Sequence, residues 1–383
     1  MNAPQYRSPW VDDEIVALKE MAVKFFQNEA LPHRERWAEQ KHVDREFWNK
    51  AGELGLLCAA VPEEYGGGGG TLAHDFAIFE AQASCGETGF GNQVHSGLVA
   101  HYILTYGTEE QKLRWLPGMA SGAIVGAIAM SEPGGGSDLK ALRTSAIRDG
   151  DHYVVNGAKT FISNGSQADL VILVLKTDPA AGVKGVSLLA LETAGATGYQ
   201  VGRVLDKVGM KAQDTSELFF DNVLVPVGNL LGEEGAGFGY AMRQLAHERM
   251  LVADWGVTVL ESAVEETVRY TKERVAFGKP LFELQNTRFE IAQCATIARI
   301  ARVFVDDCFV RHLNGDLDPT TASMAKAWVT DMQCQVIDRC VQLFGGYGYM
   351  LEYPIARMFA DSRAQKIYAG ANEVMNELIA RSL

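Results

Sequence analysis

The spacing of apolar side chains divides the chain into three zones. From about Val11 to Gly118 the period is helical. Ile15, Leu18, Ala22, Phe25 and Phe26 fall on one face of a segment that opens with Val11-Asp12-Asp13-Glu14, acids first. A second helix is predicted over 71–83 and a third after Asn92. Between the first two stand five consecutive glycines, Gly66 to Gly70. No Lys-Ser pair follows to make a phosphate loop, so a flexible connection after Pro62-Glu63-Glu64-Tyr65 is expected.

From about Ile124 to Pro226 short β-prone runs take over. Tyr153-Val154-Val155 precedes Asn156-Gly157, and Thr160-Phe161-Ile162-Ser163 precedes Asn164-Gly165, which predicts two hairpin turns. Further strands are predicted over 170–175, 186–191, 199–205 and 216–220, together an antiparallel β domain. From Gly237 the helical period returns in long segments, 238–273, 284–313, 320–344 and 372–381. Turns are expected at Phe277-Gly278-Lys279-Pro280 and Gly345-Gly346-Tyr347-Gly348; Asn314-Gly315-Asp316 closes one helix and Asp318-Pro319-Thr320 opens the next. Few long helices with short links predict an antiparallel bundle. The fold class is α+β in the order α, β, α, with domains over 1–122, 123–235 and 236–383.

Composition narrows the function. At 383 residues the chain can bury a large core, and 47% hydrophobic with 22% charged residues is an ordinary globular balance. The net charge of −13 argues against nucleic-acid binding through a general positive field, though not against a local basic pocket for a phosphorylated ligand. Cys58, Cys85, Cys294, Cys308, Cys334 and Cys340 form no C-x-x-C pair, so neither a metal site nor a disulfide framework is expected and a reducing, cytoplasmic setting fits. Met1 to Trp10 carries no secretory pattern, and residues 123–130 are too short to span a bilayer.

Three places carry candidate chemistry. On the long helix through Glu248, steps of four and three give Ala241, Leu245, Glu248, Val252, Trp255 and Val259, one carboxylate on an otherwise apolar stripe. Buried there, it has a raised pKa and suits a general base; an ion pair with a neighbouring helix would suit the pattern too. In Ser131-Glu132-Pro133-Gly134-Gly135-Gly136-Ser137-Asp138 three glycines allow close backbone approach to a ligand and Ser137 can donate to it, although a surface turn reads the same way. Arg274 and Phe277 at a helix-to-helix turn, with Gln285 beyond, suit a flat phosphorylated ligand or simply a solvated turn.

Taken together, these segments resemble the acyl-CoA dehydrogenase family over essentially the whole chain. The matching motifs are residues 131–138, 156–165, 211–215, 248–254, 274–285, 342–349 and 367–373, and residues 321–326 and 377–381 are similar to the long-chain subgroup. The resemblance implies an amino-terminal helical domain, a middle antiparallel β-barrel or sandwich domain and a carboxy-terminal four-helix bundle. It implies bound FAD, oxidation of the Cα–Cβ bond of an acyl-CoA to a trans-2-enoyl-CoA, electron transfer flavoprotein as acceptor, and a homotetramer built as a dimer of dimers. An acyl-CoA oxidase, or a catalytically silent flavin or acyl-CoA binder, is the competing reading.

Residue by residue, the resemblance assigns flavin contacts to Ile128, Ala129, Met130, Ser131, Ser137, Phe161, Ile162 and Ser163. It assigns the adenine half of FAD to Arg274, Phe277 and Gln285, and to Gln342, Leu343, Phe344, Gly345 and Gly346 of a neighbouring subunit. Many relatives place the catalytic glutamate where Ala369 stands; a minority place it on the long helix, where this chain has Glu248. The Ala369 N–H would then help hold the thioester oxygen. Substrate contacts are implied for Ser137, Gly239, Ala246, His247, Arg249, Tyr368, Ala369 and Gly370, with room beside Gly239 and Ala369 for a long or branched acyl chain. Ala371 replaces a threonine common in relatives, and Asn372 or Glu373 is expected to take over its phosphate contact.

Overall fold

The computed structural model describes residues 6–138 and 141–383, so Met1 to Gln5, half of the stretch read above for a leader, lie outside the described residues. The first zone folds as α1 (Asp13–Phe25), α2 (Arg34–Gln40), α3 (Arg45–Glu53), α4 (Leu72–Ser84), a π-helical stretch Gln93–Ala100 running on into α5 (His101–Tyr106), and α6 (Glu109–Ala120). Local chemistry sets the starts. Asp12 accepts from the Ile15 N–H, and Thr71 and Thr108 head reciprocal caps with His74 and Gln111. Phe25, Phe26, Trp37, Phe47, Trp48 and Phe90 fill the core of this part.

The glycine run is not a flexible connection. The N–H groups of Gly68, Gly69 and Gly70 donate to the carbonyls of Cys58, Val61 and Ala59 at 3.3, 2.9 and 2.9 Å. A Cβ on Gly67 would lie 2.2 Å from Val61 O, so the glycines serve close backbone packing. Gly67→Ala is expected to destabilise the protein by about 1–3 kcal/mol, the range for forcing atoms into a packed site. A urea titration followed by far-UV circular dichroism checks this.

The middle zone is one seven-stranded sheet in the order β1 (Gly126–Ala129), β4 (Leu170–Lys176), β2 (Ser145–Asp149), β3 (His152–Ser163), β7 (Thr215–Pro226), β6 (Tyr199–Val204), with β5 (Val186–Glu192) paired to β4. Pairing is antiparallel except for β1 with β4 and a single register pair between β2 and β4. In β4 the two periods separate cleanly. Leu170, Ile172 and Val174 pack toward α5 and α6, while Val171, Leu173 and Leu175 fill the sheet's own core.

Neither Asn-Gly pair makes a hairpin. Asn156-Gly157 lies inside β3, at a bulge against β7, where the Asn156 side chain bonds Asn222 and a Cβ on Gly157 would meet Thr144 Oγ1 at 2.5 Å. Asn164-Gly165 ends β3, but the chain passes to β4, which pairs with β1 and β5. Asn164 instead reaches the amino-terminal helices, donating to Gly91 O at 3.0 Å. The two-residue hairpin is at Gly150-Asp151, between β2 and β3.

The last zone comprises α7 (Gly237–Glu273), the short strands β8 (Val275–Ala276) and β9 (Lys279–Pro280), α8 (Gln285–Leu313), α9 (Pro319–Phe344), α10 (Pro354–Ser362) and α11 (Asn372–Arg381). Asp318 starts α9 by accepting from the Thr320 and Thr321 N–H groups, with Pro319 at the first helical position. The apolar faces of α7, α8, α9 and α10 share one core with α4 and α1. All six cysteines are free thiols, and among the described residues no helix is long and apolar enough to cross a membrane.

Candidate active site

Glu248 is buried on α7, as the apolar stripe predicts, with Val252, Trp255 and Val259 buried along the same row. It makes no salt bridge with a neighbouring helix among the described residues. Tyr102 of α5, itself fully buried, donates its hydroxyl to Glu248 Oε1 at 3.0 Å. Burial pushes the Glu248 carboxyl up to about 7; the Tyr102 hydrogen bond and the Arg249 charge pull the other way and only partly offset it. A carboxylate half ionised near neutral pH can take up a proton there.

The segment before α11 packs on α9. Lys326 donates Nζ to Gly370 O at 2.7 Å and to Asn372 Oδ1 at 2.9 Å. Arg249, next to Glu248, donates to Pro319 O at 3.1 Å and Ser323 Oγ at 3.0 Å on the same helix. Ser323 and Lys326, three residues apart on α9, therefore link α7 to the 369–372 turn. In that turn Ala369 sits at φ +51° and Gly370 at φ +88°. A non-glycine residue held there is strained, and such strain concentrates at functional positions. Among the described residues no acceptor takes the Ala369 N–H.

On the β side, alternation sorts the flavin-contact candidates. Ala129 and Ile162 are buried in the sheet core, so their side chains face away from any ligand on the outer face; Ile128, Met130 and Ser131 are half-buried. Phe161 is 68% exposed and at φ +61°, an apolar ring on strained backbone turned to solvent, with Ser163 half-buried two residues on. The 131–138 loop springs from a buried anchor, Glu132. Glu132 accepts from the Arg143 and Thr144 N–H groups at 2.7 and 3.0 Å and from Lys159 Nζ at 2.9 Å. Burial disfavours that charge, but Lys159 and those donors outweigh it and hold Glu132 below the usual range. Ser137 is exposed on the loop.

Arg274, Phe277, Gln285, Gln342, Gly345 and Gly346 gather at the far end of the bundle, where the Arg274 guanidinium lies 5.4 Å from the Tyr347 ring centre. Phe277 is 92% exposed at φ +53°. Leu343 is half-buried, while Phe344 is buried, stacked on Tyr270 at 4.0 Å, and is a core residue rather than a side-chain contact. Arg274 is 26 residues beyond Glu248, about 39 Å along the helix axis. The two groups of one chain are thus far apart.

Other candidates are placed differently from the reading above. His247 is buried, donates to Gly97 O at 2.8 Å and accepts from His312 at 2.9 Å, so it turns toward α8 and not toward a ligand. Arg249 gives its Nη1 to α9 and leaves its buried Nε without a partner among the described residues. Asn372 uses its whole side chain on Lys326, Ala327, Thr330 and Asp331, which leaves only its N–H for a phosphate; Glu373 is exposed. Ala371, Ala246 and Gly239 are half-buried, and a Cβ on Gly239 would meet nothing nearer than Arg243 at 3.9 Å, so space is open there. Tyr368 is 37% exposed. Tyr102 and Lys326 carry no signal in the sequence, because their partners are 146 and 44 positions away and no local pattern marks such pairs.

Family models for the acyl-CoA dehydrogenase amino-terminal, middle and carboxy-terminal domains match residues 12–123, 127–223 and 235–383. The chain is 46% identical over 367 residues to the rat (Rattus norvegicus) mitochondrial long-chain specific acyl-CoA dehydrogenase, covering 95% of this chain and 85% of that one. The crystal structure of an acyl-CoA dehydrogenase from Geobacillus kaustophilus superposes with a TM-score of 0.96 at 44% identity, over 98% of this chain and 99% of that one. A glutaryl-CoA dehydrogenase from Mycobacterium smegmatis, in complex with FADH2, superposes at 0.90 with 26% identity over 97% and 95%. With three successive domain models matched along its length and the same fold in its relatives, the chain belongs to the acyl-CoA dehydrogenase family of FAD-dependent oxidoreductases.

Proposed function

We propose that this protein desaturates long-chain or branched acyl-CoA thioesters between Cα and Cβ, with Glu248 as the base. The observation that carries the reading is the buried Glu248 carboxyl, raised to about 7, whose neighbour Arg249 is linked to the Ala369 turn through Ser323 and Lys326 on one face of α9. Support for a long or branched chain comes from Ala369, whose methyl leaves the turn open, from the space beside Gly239, and from the 46% identity to a long-chain enzyme.

The residues present fit FAD. Phe161 and Ser163 offer an outward face for a flat ring, and the start of α11 offers N–H groups at Asn372 and Glu373 that no carbonyl takes, in a place suited to a phosphate. Bound there, FAD supplies a two-electron acceptor for the hydride leaving Cβ, and electron transfer flavoprotein is the proposed onward acceptor. The chain's own part is to hold the acyl group and move a proton. As the Cα–H bond breaks, the proton passes to a Glu248 oxygen. The charge that develops on the thioester oxygen is met by the Ala369 N–H, already aimed by its strained turn. The walls of α5 and α7 keep water from the carboxylate.

The distance of Arg274, Phe277 and Gln342 from this centre calls for a second copy to complete the adenine end. Exposed Phe277, Tyr349 and Leu351 at that end form an apolar face for it to cover, so a homotetramer is proposed, and the six free thiols fit a cytoplasmic setting. Anaerobic bleaching of the flavin by butyryl-, octanoyl-, palmitoyl-, isovaleryl- and citronellyl-CoA tests the substrate; a clear preference for butyryl-CoA would overturn it. The bleaching rate is expected to rise with pH through about 7, because the base acts only when deprotonated. A stopped-flow series from pH 5.5 to 9 checks the sign.

A further inference from the structure

We infer that Tyr102 is a positioning residue for the base: its hydroxyl fixes Glu248 Oε1 and leaves Oε2 to meet the substrate Cα proton. The inference rests on Glu248 being the base. The phenol is itself held from both ends of the contact between α5 and α7. Tyr102 packs beside Tyr106 at 5.9 Å, and Tyr106 stacks on Tyr240 at 4.1 Å and accepts from Gln244 Nε2 at 3.2 Å. With no exposed surface, Tyr102 cannot turn its hydroxyl to water, and Glu248 is the partner it has. Among the described residues Oε2 accepts no hydrogen bond. One oxygen is thus tethered and the other is free to accept.

A second effect follows from the same contact. A phenol donating to a carboxylate stabilises its charged form, so Tyr102 keeps the base usable at lower pH than burial alone would allow. The phenol stays protonated, because burial and the nearby Glu248 charge push it well above its ordinary value.

The other groups around Glu248 do not duplicate this. Arg249 follows it on α7, and Lys326 of α9, which feels the Arg249 charge, is pushed down to about 8 mainly by burial. His247 of α7, His101 of α5 and His312 of α8 form one stack, each pushed down first by burial, so all three are neutral at pH 7. Tyr106 bonds Tyr240 O and Gln244 and does not bond the carboxylate.

The experiment is the pH profile of anaerobic flavin reduction by palmitoyl-CoA, taken on the FAD-loaded enzyme. Tyr102→Phe is expected to move the ascending limb up by about one pH unit, the size of one hydrogen bond to a charged group. Below the limb its rate then falls about tenfold, while the high-pH plateau stays within a few-fold of wild type. Tyr106→Phe, which removes a hydroxyl one turn away, leaves the limb in place. Placing 3-fluorotyrosine at position 102, a stronger donor of nearly the same shape, moves the limb the opposite way and does not depend on Tyr102→Phe folding well. Limbs that coincide with wild type in both position-102 variants overturn the inference, as does an equal displacement in Tyr106→Phe. Glu248→Gln separates the two levels. If it bleaches like wild type, the base assignment fails; if it is silent while the limbs do not move, only the role of Tyr102 fails.

Discussion

Glu248→Gln is expected to hold FAD and acyl-CoA as the wild type does and yet to bleach at least about a hundredfold more slowly, with up to about 10⁴-fold slowing, the range for loss of a positioned general base. The amide keeps the shape of the side chain and can still accept from Tyr102 at the Oε1 position. What it cannot do is take a proton from Cα. The substitution also removes a group that burial disfavours, since the carboxyl is raised to about 7. The folded state binds more protons there than the unfolded chain does between the two pKa values, so the native carboxyl lowers stability as pH rises through that window. The variant should therefore be as stable as the wild type at pH 8, or more so, while being nearly inactive. A melting curve beside the bleaching trace distinguishes a missing base from a damaged fold. Wild-type bleaching in the variant would remove Glu248 from the mechanism.

That carboxylate was legible in the sequence because a helix period converts one charged letter into a statement about burial. Val252, Trp255 and Val259 repeat on the face of Glu248, and the face is buried. The long helices and the cap at Asp318 were legible for the same local reasons. The turns were not. Asn156-Gly157 has the composition of a hairpin, but a bulge against β7 and the close approach to Thr144 require the same residues. Gly66 to Gly70 read as slack because glycine is permissive, whereas here its lack of a side chain allows the backbone to pack on residues 58–61. Strand order was equally out of reach, since β1 finds β4 past two intervening strands. Contacts made at long range leave no periodic trace. Tyr102 with Glu248, Glu132 with Lys159, and Asn372 with Lys326 each join residues whose letters are unremarkable alone.

Arg302 is where the helical parts are joined most tightly, and Arg302→Met is expected to destabilise the protein by about 3–5 kcal/mol, the range for removing one partner of a buried ionic group. Arg302 lies buried on α8 and reaches Glu80 of α4 at 2.6 Å, Asp254 of α7 at 3.3 Å and Glu261 of α7 at 2.8 Å. Lys19 of α1 bonds the other oxygen of Glu80 at 2.5 Å. Burial works against the Glu80 charge, but Arg302 and Lys19 together hold it down to about 2. Asp254 goes the other way: burial and then the neighbouring Glu80 push it well up, which favours its neutral form. Methionine fills the volume but leaves Glu80 with Lys19 as its counter-charge and Asp254 as a hydrogen-bond partner. In the wild type the depressed Glu80 contributes stability above its unfolded pKa of about 4.5 that is lost as pH falls toward 2. In Arg302→Met the buried carboxyl loses its main counter-charge and its pKa moves up, so the slope reverses and the variant should gain stability on mild acidification. Adding Glu80→Gln to Arg302→Met removes the stranded charge and should recover part of the loss. Urea titrations of both variants at pH 5.5 and 7.5 read the size and the sign together. A loss that is the same at both pH values and is not relieved by Glu80→Gln would mean that Arg302 acts through packing alone.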